Sequence, residues 1–243
     1  YMPSKVTAAN FGKVTDFSTK EDIAALRYTP GGAFGSCRYK LSDPEKDKRE
    51  FERLLDVFRA HNIGYFFYNG GGDSADTCYK ISRFSSMMGY PIQAIHVPKT
   101  IDNDLALTDC CPGFGSVAKY VAVSTIETSF DVRSMCRTST RIFVFEVMGR
   151  HAGWIAAAGG LAGEYGIPVV ILFPEIPFEK ERFLARVEEN VAEFGYCSVV
   201  VSEGCRYPDG KFIADQGARD VFGHAHLGGA APVVARMIHE KVG

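Results

Sequence analysis

The sequence predicts an α/β fold with mainly parallel sheets flanked by helices. Three observations predict it. From about residue 44 onward, short apolar runs alternate with stretches of helical spacing, and alternation of that length puts helices on both faces of a parallel sheet. The apolar runs empty into glycines or charged residues, the place beyond the carboxyl ends of strands where such sheets bind ligands. The composition is that of an ordinary globular chain, with 46% hydrophobic and 23% charged residues over 243 positions, which excludes a disordered or fibrous protein.

Each element has its own signal. Residues 44–62 carry Phe51, Leu54, Leu55 and Phe58 at helical spacing with charges between them, an amphipathic helix. Residues 63–68 form an apolar and aromatic run stopped by Asn69 and three glycines, which reads as a buried strand. Residues 73–88 return to helical spacing through Cys78, Ile81, Phe84 and Met88, and 91–97 read as a strand. A helix is expected at 115–134, a strand at 141–148, and a helix of small residues at 151–163, able to pack tightly on a sheet. Then come a strand at 168–173, a helix at 179–194, a strand at 198–202, and a helical stretch from near Ala230 to Met237. The first 40 residues carry no clear period beyond the turn Thr29-Pro30-Gly31-Gly32.

Charge and cysteine usage narrow the function classes. Lys plus Arg number 27 and Asp plus Glu 29, a net charge of −2, so nothing draws the chain to nucleic acid or an anionic membrane. No apolar run approaches the ~20 residues of a membrane helix. The seven cysteines, Cys37, Cys78, Cys110, Cys111, Cys136, Cys197 and Cys205, form no C-x-x-C pair, which argues against structural zinc. No signal-peptide pattern opens the sequence, and a cytoplasmic location is expected.

The polar loops after the strands hold the candidate chemistry. Gly70-Gly71-Gly72-Asp73-Ser74 lies between a strand and a helix. It is either a phosphate-binding turn at a positive helix end or a tight turn capped by Asp73 or Ser74. An Asp there suits a divalent metal ligand, or a group excluding part of a larger phosphate ligand. Lys99-Thr100-Ile101-Asp102-Asn103-Asp104 follows the next strand. A Lys beside carboxylates can neutralise a phosphate while one carboxylate accepts a proton; the plainer alternative is a capped turn with an internal ion pair. Arg150 follows Glu146-Val147-Met148-Gly149 and suits bidentate phosphate contacts. His151 is a base or a capping and packing residue at a helix start. Arg38 after Phe34-Gly35-Ser36-Cys37 is a phosphate ligand or a solvated surface residue, and Arg141, which opens a strand, reads as an edge residue. Glu203 binds sugar hydroxyls or caps a loop. His224 and His226, two apart, do not share a helix face.

Taken together, these stretches resemble the phosphofructokinase family. The matching segments are Ala33-Phe34-Gly35-Ser36-Cys37-Arg38, Gly70-Gly71-Gly72-Asp73-Ser74, Pro98-Lys99-Thr100-Ile101-Asp102-Asn103-Asp104, Glu146-Val147-Met148-Gly149-Arg150-His151-Ala152-Gly153 and Ser202-Glu203-Gly204. They stand in the family's order and roughly its spacing, over about residues 29–205. Asp73 and Lys99 replace glycines typical of ATP-dependent members and resemble the pyrophosphate-dependent branch. Physically, a carboxylate at Asp73 repels the inner phosphate of a nucleotide, and Lys99 compensates a compact diphosphate.

The resemblance implies two lobes: residues 1–113 on the diphosphate side and 114–243 on the sugar-phosphate side. It implies Mg2+-dependent, reversible transfer of a phosphoryl group from pyrophosphate to the 1-hydroxyl of fructose 6-phosphate. Asp102 is then the proton acceptor, supported by Thr100 and Asp104. Lys99, Arg38 and Arg150 hold phosphate oxygens beside Gly71 and Gly72. Ile101, Met148, Gly149 and Glu203 orient the sugar, and Arg141 reaches the 6-phosphate in a neighbouring subunit of a homodimer or homotetramer. The family's metal-binding Asp in the glycine turn is Gly72 here, which moves the expected metal ligand to Asp73. The family's N-terminal glycine-rich loop and its Gln-Arg after the later His are not matched, so family segments are expected beyond both ends. The alternatives are an ATP-dependent sugar-phosphate kinase of the same fold and a non-catalytic regulatory subunit that binds sugar phosphate.

Overall fold

The structure, a computed structural model, describes residues 7–10, 13–16, 19–28, 41–45, 47–219 and 225–242, with side chains at 19–28, 41–45, 47–217 and 227–242. The chain divides into two compact units, Tyr1–Arg53 and Leu54–Gly243. In the first, β1 (Thr7–Asn10) pairs antiparallel with β2 (Lys13–Asp16). Helix α1 (Lys20–Leu26) is capped by Thr19, whose Oγ1 accepts the Asp22 N–H at 3.0 Å. Helix α2 (Lys48–Ala60) starts in the first unit and runs on into the second, and its Phe51, Leu55 and Phe58 are buried.

The second unit holds two parallel sheets. In one, β3 (Tyr65–Gly70) pairs with β4 (Gln93–Pro98), with Phe66 opposite Ala94. Helix α3 (Gly72–Met87) buries Cys78, Ile81 and Phe84, and Phe58 meets Phe66 at a tilt with ring centroids 5.3 Å apart. The opposite face is open: Tyr65, Phe67, Ile95 and Val97 are all exposed.

The other sheet runs β5 (Ile142–Val147), β7 (Cys197–Ser202), β6 (Val169–Leu172), all parallel. All six residues of β7 are buried, as an uninterrupted apolar run in a doubly covered strand requires. Val199 and Val201 pack with Phe183, Leu184 and Val187 of α6 (Lys180–Phe194) and Val234 and Ile238 of α7 (Ala230–Val242). Val200 points the other way, to Val121 of α4 (Phe114–Met135) and Ile155 of α5 (Trp154–Gly159). Ser198 shares that face, its hydroxyl 2.6 Å from Ser129 of α4. A Cβ on Gly159 would come within 2.7 Å of Val200, so the small residues of α5 do let it lie close on the sheet.

Two boundaries differ from expectation. Helix α5 starts three residues later than 151, because the Gly153 N–H donates to Glu175 Oε1 at 2.7 Å, and it continues as a 3-10 turn over Gly160–Tyr165. Helix α7 runs past Met237 to Val242. An antiparallel pair, β8 (Asp215–Arg219) with β9 (Ala225–Leu227), was not anticipated. The stretch 29–40, including Cys37 and Arg38, and also His224, lie outside the described residues; of His226 only the backbone in β9 is described. Among the described residues no helix is long and apolar enough to cross a membrane.

Candidate active site

Strand β3 ends on Gly70 and the chain turns at once into α3. The N-cap is Gly71, in extended conformation and without a side-chain cap bond. Its carbonyl accepts the N–H groups of Ser74 at 3.0 Å and Ala75 at 3.1 Å. Gly71 occupies the N-cap position, so Asp73 and Ser74 stand inside the first turn rather than at the cap, which corrects the capped-turn alternative. Half-buried Asp73 lies in the first turn, where the helix dipole favours a carboxylate. Gly72 is exposed, and a Cβ there would meet nothing within 4 Å; its backbone is open to a ligand. The Lys99 N–H donates to the Gly70 carbonyl at 2.9 Å, which ties the loop after β4 to the glycine turn. The Lys99 side chain is exposed and, among the described residues, makes no ion pair. The internal ion pair of the plainer alternative is absent.

The loop after β4 is held in shape by its own polar groups. The Thr100 hydroxyl donates to Asp104 Oδ1 at 2.8 Å, and the Asp102 N–H donates to Thr100 Oγ1 at 3.2 Å. Asn103 sits at φ 59° and is buried. Its Oδ1 accepts the Cys111 N–H at 2.8 Å, and its Nδ2 donates to the Asp109 carbonyl at 3.1 Å. Asn tolerates this left-handed backbone better than most residues, and the two bonds fold the following loop back on the turn. Ile101 packs onto the Val121, Val147 and Ile155 cluster, so Asp102 is carried on an anchored segment.

The ends of β5 and β7 meet this loop. The backbone N–H of Arg150 stands near enough to the Asp102 carboxylate to lower its pKa, which brings the exits of β4 and β5 together. Gly149 is buried at φ 131°, and a Cβ there would collide with the Ala152 carbonyl oxygen. The Gly149 carbonyl accepts the Ser202 hydroxyl, and the Glu203 N–H donates to the Val147 carbonyl at 2.9 Å. Gly204 presses directly against the Arg150 backbone. Three strand exits are thus locked together, with Met148 exposed and Arg150 and Glu203 half-buried at their surface.

Electrostatics follow from this packing. Burial, then the neighbouring Asp104 carboxylate, pushes the Asp102 pKa above the usual Asp value. The Arg150 N–H, Lys99 and His151 pull the other way. A carboxylate made more basic yet kept beside cations is what general-base work on an alcohol needs. His151 moves downward, first by burial and then by the Arg206 and Arg150 cations. It stands in the bend before α5 rather than at its start, since the N-cap is Gly153, which removes the capping role.

Asp102, Thr100, Ile101, Asp104, Lys99, Gly149, Arg150 and Glu203 therefore belong to one cluster of strand exits, with Gly71, Gly72 and Asp73 reached through the Lys99–Gly70 bond. Arg141 stands apart: it precedes the other end of β5, about 23 Å along the strand from Met148 at ~3.3 Å per residue, and its guanidinium donates to the Val242 carbonyl at 3.4 Å. Sequence reading gave no role to Asn103, although an Asn between two Asp residues signals a left-handed turn. Arg206 gave no signal at all.

Comparison with known proteins gives this cluster a context. The phosphofructokinase family model matches residues 8–243. The chain is 67% identical over 231 residues to a pyrophosphate–fructose 6-phosphate 1-phosphotransferase of Methylococcus capsulatus, covering 94% of this chain and 55% of that protein. A protein of the same name from Halomonas elongata is 64% identical over 225 residues, covering 92% and 54%. The solved structure of a pyrophosphate-dependent phosphofructokinase from Nitrosospira multiformis aligns with a TM-score of 0.79 at 64% identity, over 93% of this chain and 53% of that one. The chain spans about half the length of the curated relatives it matches.

Proposed function

The chain belongs to the phosphofructokinase family, and on that premise we propose that it forms much of an active site that transfers a phosphoryl group from pyrophosphate to the 1-hydroxyl of fructose 6-phosphate. The products are fructose 1,6-bisphosphate and phosphate, and the similar energies of pyrophosphate and phosphate esters make the reaction reversible. The observation that carries this reading is the Asp102 carboxylate, set on a loop anchored by Ile101 and by the Thr100–Asp104 bond, with Lys99, Arg150 and His151 as its charged neighbours. The names of the relatives above support the donor and the acceptor sugar.

The 1-hydroxyl oxygen attacks the terminal phosphorus of pyrophosphate, its proton passes to Asp102, and the bond to the bridging oxygen breaks. Thr100 and Asp104, bonded to each other at 2.8 Å, hold the loop that carries the base. Lys99 and Arg150 take phosphate oxygens and spread the charge of a loose transition state, with the open backbone of Gly71 and Gly72 beside Lys99; the family resemblance gives Arg38, outside the described residues, the same role. Met148, Gly149, Glu203 and Ile101 shape the sugar side. On this reading residues 1–113 serve the diphosphate and 114–243 the sugar phosphate. Arg141 serves the 6-phosphate of a neighbouring subunit in a cytoplasmic homodimer or homotetramer.

Mg2+ fits the donor set. It keeps most of its waters and binds through one or two carboxylates plus substrate phosphates. Among the described residues no three metal-ligating side chains cluster, and a single carboxylate, Asp73 in the first turn of α3, matches such a minimal attachment. When bound there, the ion would neutralise diphosphate oxygens.

The test is phosphorylation of fructose 6-phosphate by the full-length polypeptide, comparing pyrophosphate with ATP. Turnover with pyrophosphate and at least about a hundredfold less with ATP is expected, since like charges ~4 Å apart at an effective dielectric of ~20 repel by about 4 kcal/mol before solvent screening. Equal use of ATP overturns the donor assignment. Sugar-phosphate binding without turnover on either donor overturns catalysis and favours a regulatory subunit.

A further inference from the structure

Arg206 lies just past the β7 exit, on a segment held from three sides. Its carbonyl accepts the Phe178 N–H at 2.7 Å, its backbone bridges Phe212, and its guanidinium carbon sits 4.2 Å from the centre of the Phe212 ring, within range of a cation–π contact. From this platform an Nη reaches His151 Nδ1 at 2.6 Å. Arginine has donors and no acceptor, so Nδ1 must carry the lone pair. The ring is therefore neutral, with its proton on Nε2. Its one acceptor site is already filled, so it has none left for the proton of a substrate hydroxyl.

We infer that Arg206 is a positioning residue for the phosphoryl transfer proposed above: it holds His151 as the neutral Nε2–H form, so that the exposed ring donates a hydrogen bond to a substrate phosphate oxygen and leaves Asp102 as the proton acceptor of the cluster. This rests on the proposed function and adds two residues to its phosphate side. The groups facing the ring are Arg206, Arg150, Asp104 and Asp102. Burial and the two cations outweigh the two carboxylates and lower the ring's pKa, so neutrality persists further into acid. Protonation would set a cation against the Arg206 guanidinium and break the contact. The Arg206 Nε is buried without a hydrogen-bond partner, a burial that costs stability, so stability alone does not account for an arginine at this position.

The test is imidazole 15N spectroscopy of the full-length polypeptide, with His151→Asn identifying the signal, alongside kinetics of Arg206→Met and Arg206→Lys. In the wild type Nδ1 is expected unprotonated at neutral pH, with a titration midpoint below the usual histidine value. Arg206→Met, which keeps bulk against Phe212, should raise that midpoint and populate the Nδ1–H form. It should also raise KM for the phosphate substrate that the ring contacts, pyrophosphate or fructose 6-phosphate, by about 2- to 10-fold, the worth of one hydrogen bond, most strongly above the ring's midpoint, where the Nδ1–H tautomer has no Nε2 proton to donate. Arg206→Lys should move both back toward the wild type. A proton on Nδ1 in the wild type, or a midpoint unmoved in Arg206→Met, overturns the positioning role. A moved midpoint with unchanged KM and pH profile overturns the phosphate role of the ring. The expected spectra with no phosphoryl transfer by the wild type overturn the proposed function and leave the Arg206–His151 assignment standing.

Discussion

Gly204→Ala tests whether the β7 exit sets the position of Arg150. A Cβ at Gly204 would lie 2.5 Å from the carbonyl carbon of Arg150 and 2.7 Å from its Cα, with the carbonyl oxygen closer still. Carbon atoms in contact prefer ~3.5–4.0 Å, so one backbone must retreat by about 1 Å. Both are pinned: Glu203 by its bond to Val147, and Gly149 by the Ser202 hydroxyl. Overpacking of this kind costs about 1–3 kcal/mol, and each kcal/mol lowers Tm by roughly 2–4 °C in a domain of 150–250 residues. The functional loss should be larger in proportion. Moving the Arg150 Cα carries its N–H away from Asp102, and a misplacement of ~1 Å is worth about a hundredfold in rate. The measurements are kcat/KM for fructose 6-phosphate and a thermal melt on the full-length polypeptide, with Gly163→Ala as the comparison, since a Cβ there meets nothing within 4 Å. Wild-type kinetics in Gly204→Ala would refute the coupling of the two exits. A drop in Tm without loss of rate would confine Gly204 to packing.

Asp102→Asn should lower kcat by about 10²–10⁴-fold, the usual worth of a positioned base, with KM little changed in steady-state assays. Because the folded protein raises the Asp102 pKa, ionising it opposes folding; the Asn variant should melt no lower than wild type above that pKa, and its advantage should vanish as pH falls below the unfolded value. Asp104→Asn removes the carboxylate that helps raise Asp102, so the acid limb of kcat/KM, which follows loss of the ionised base, should shift to lower pH; an unmoved limb would separate that limb from Asp102. Asp73→Gly should admit ATP, Lys99→Gly should weaken use of pyrophosphate, and the pair should shift the ratio of the two kcat/KM values further than either alone; unchanged ratios in all three would remove donor selection from these positions.

What was legible in the sequence follows the range of the forces involved. The β7 run Cys197–Ser202 and the spaced Phe183, Leu184 and Val187 of α6 are local patterns that burial alone dictates, and they appear where expected. The loop after β4 was legible because its polar residues are consecutive. The start of α5 was not, since the Gly153 N–H is captured by Glu175, 22 residues on. Nor was β8, because Asp215-Gln216-Gly217-Ala218-Arg219 lacks the apolar alternation that marks a strand. Asp73 misled as a cap because the N-cap position falls two residues earlier, at Gly71. Arg206 was invisible, as its partner His151 lies 55 residues away and nothing in either neighbourhood announces the pair.

The two sheets described above differ in how well they are covered, and this bears on where the site yields. Around β7 both faces are packed, whereas β3 and β4 leave Tyr65, Phe67, Ile95 and Val97 exposed. Segments with fewer buried apolar contacts open at lower free energy. Amide protons of β3 and β4 should therefore exchange with solvent well before those of β7. The glycine turn and Lys99 hang from the softer strands, while the Arg150 and Glu203 exits belong to the stiffer ones. On the proposed function, the donor end can then adjust to an arriving diphosphate and to a departing phosphate, against an acceptor end that stays in register.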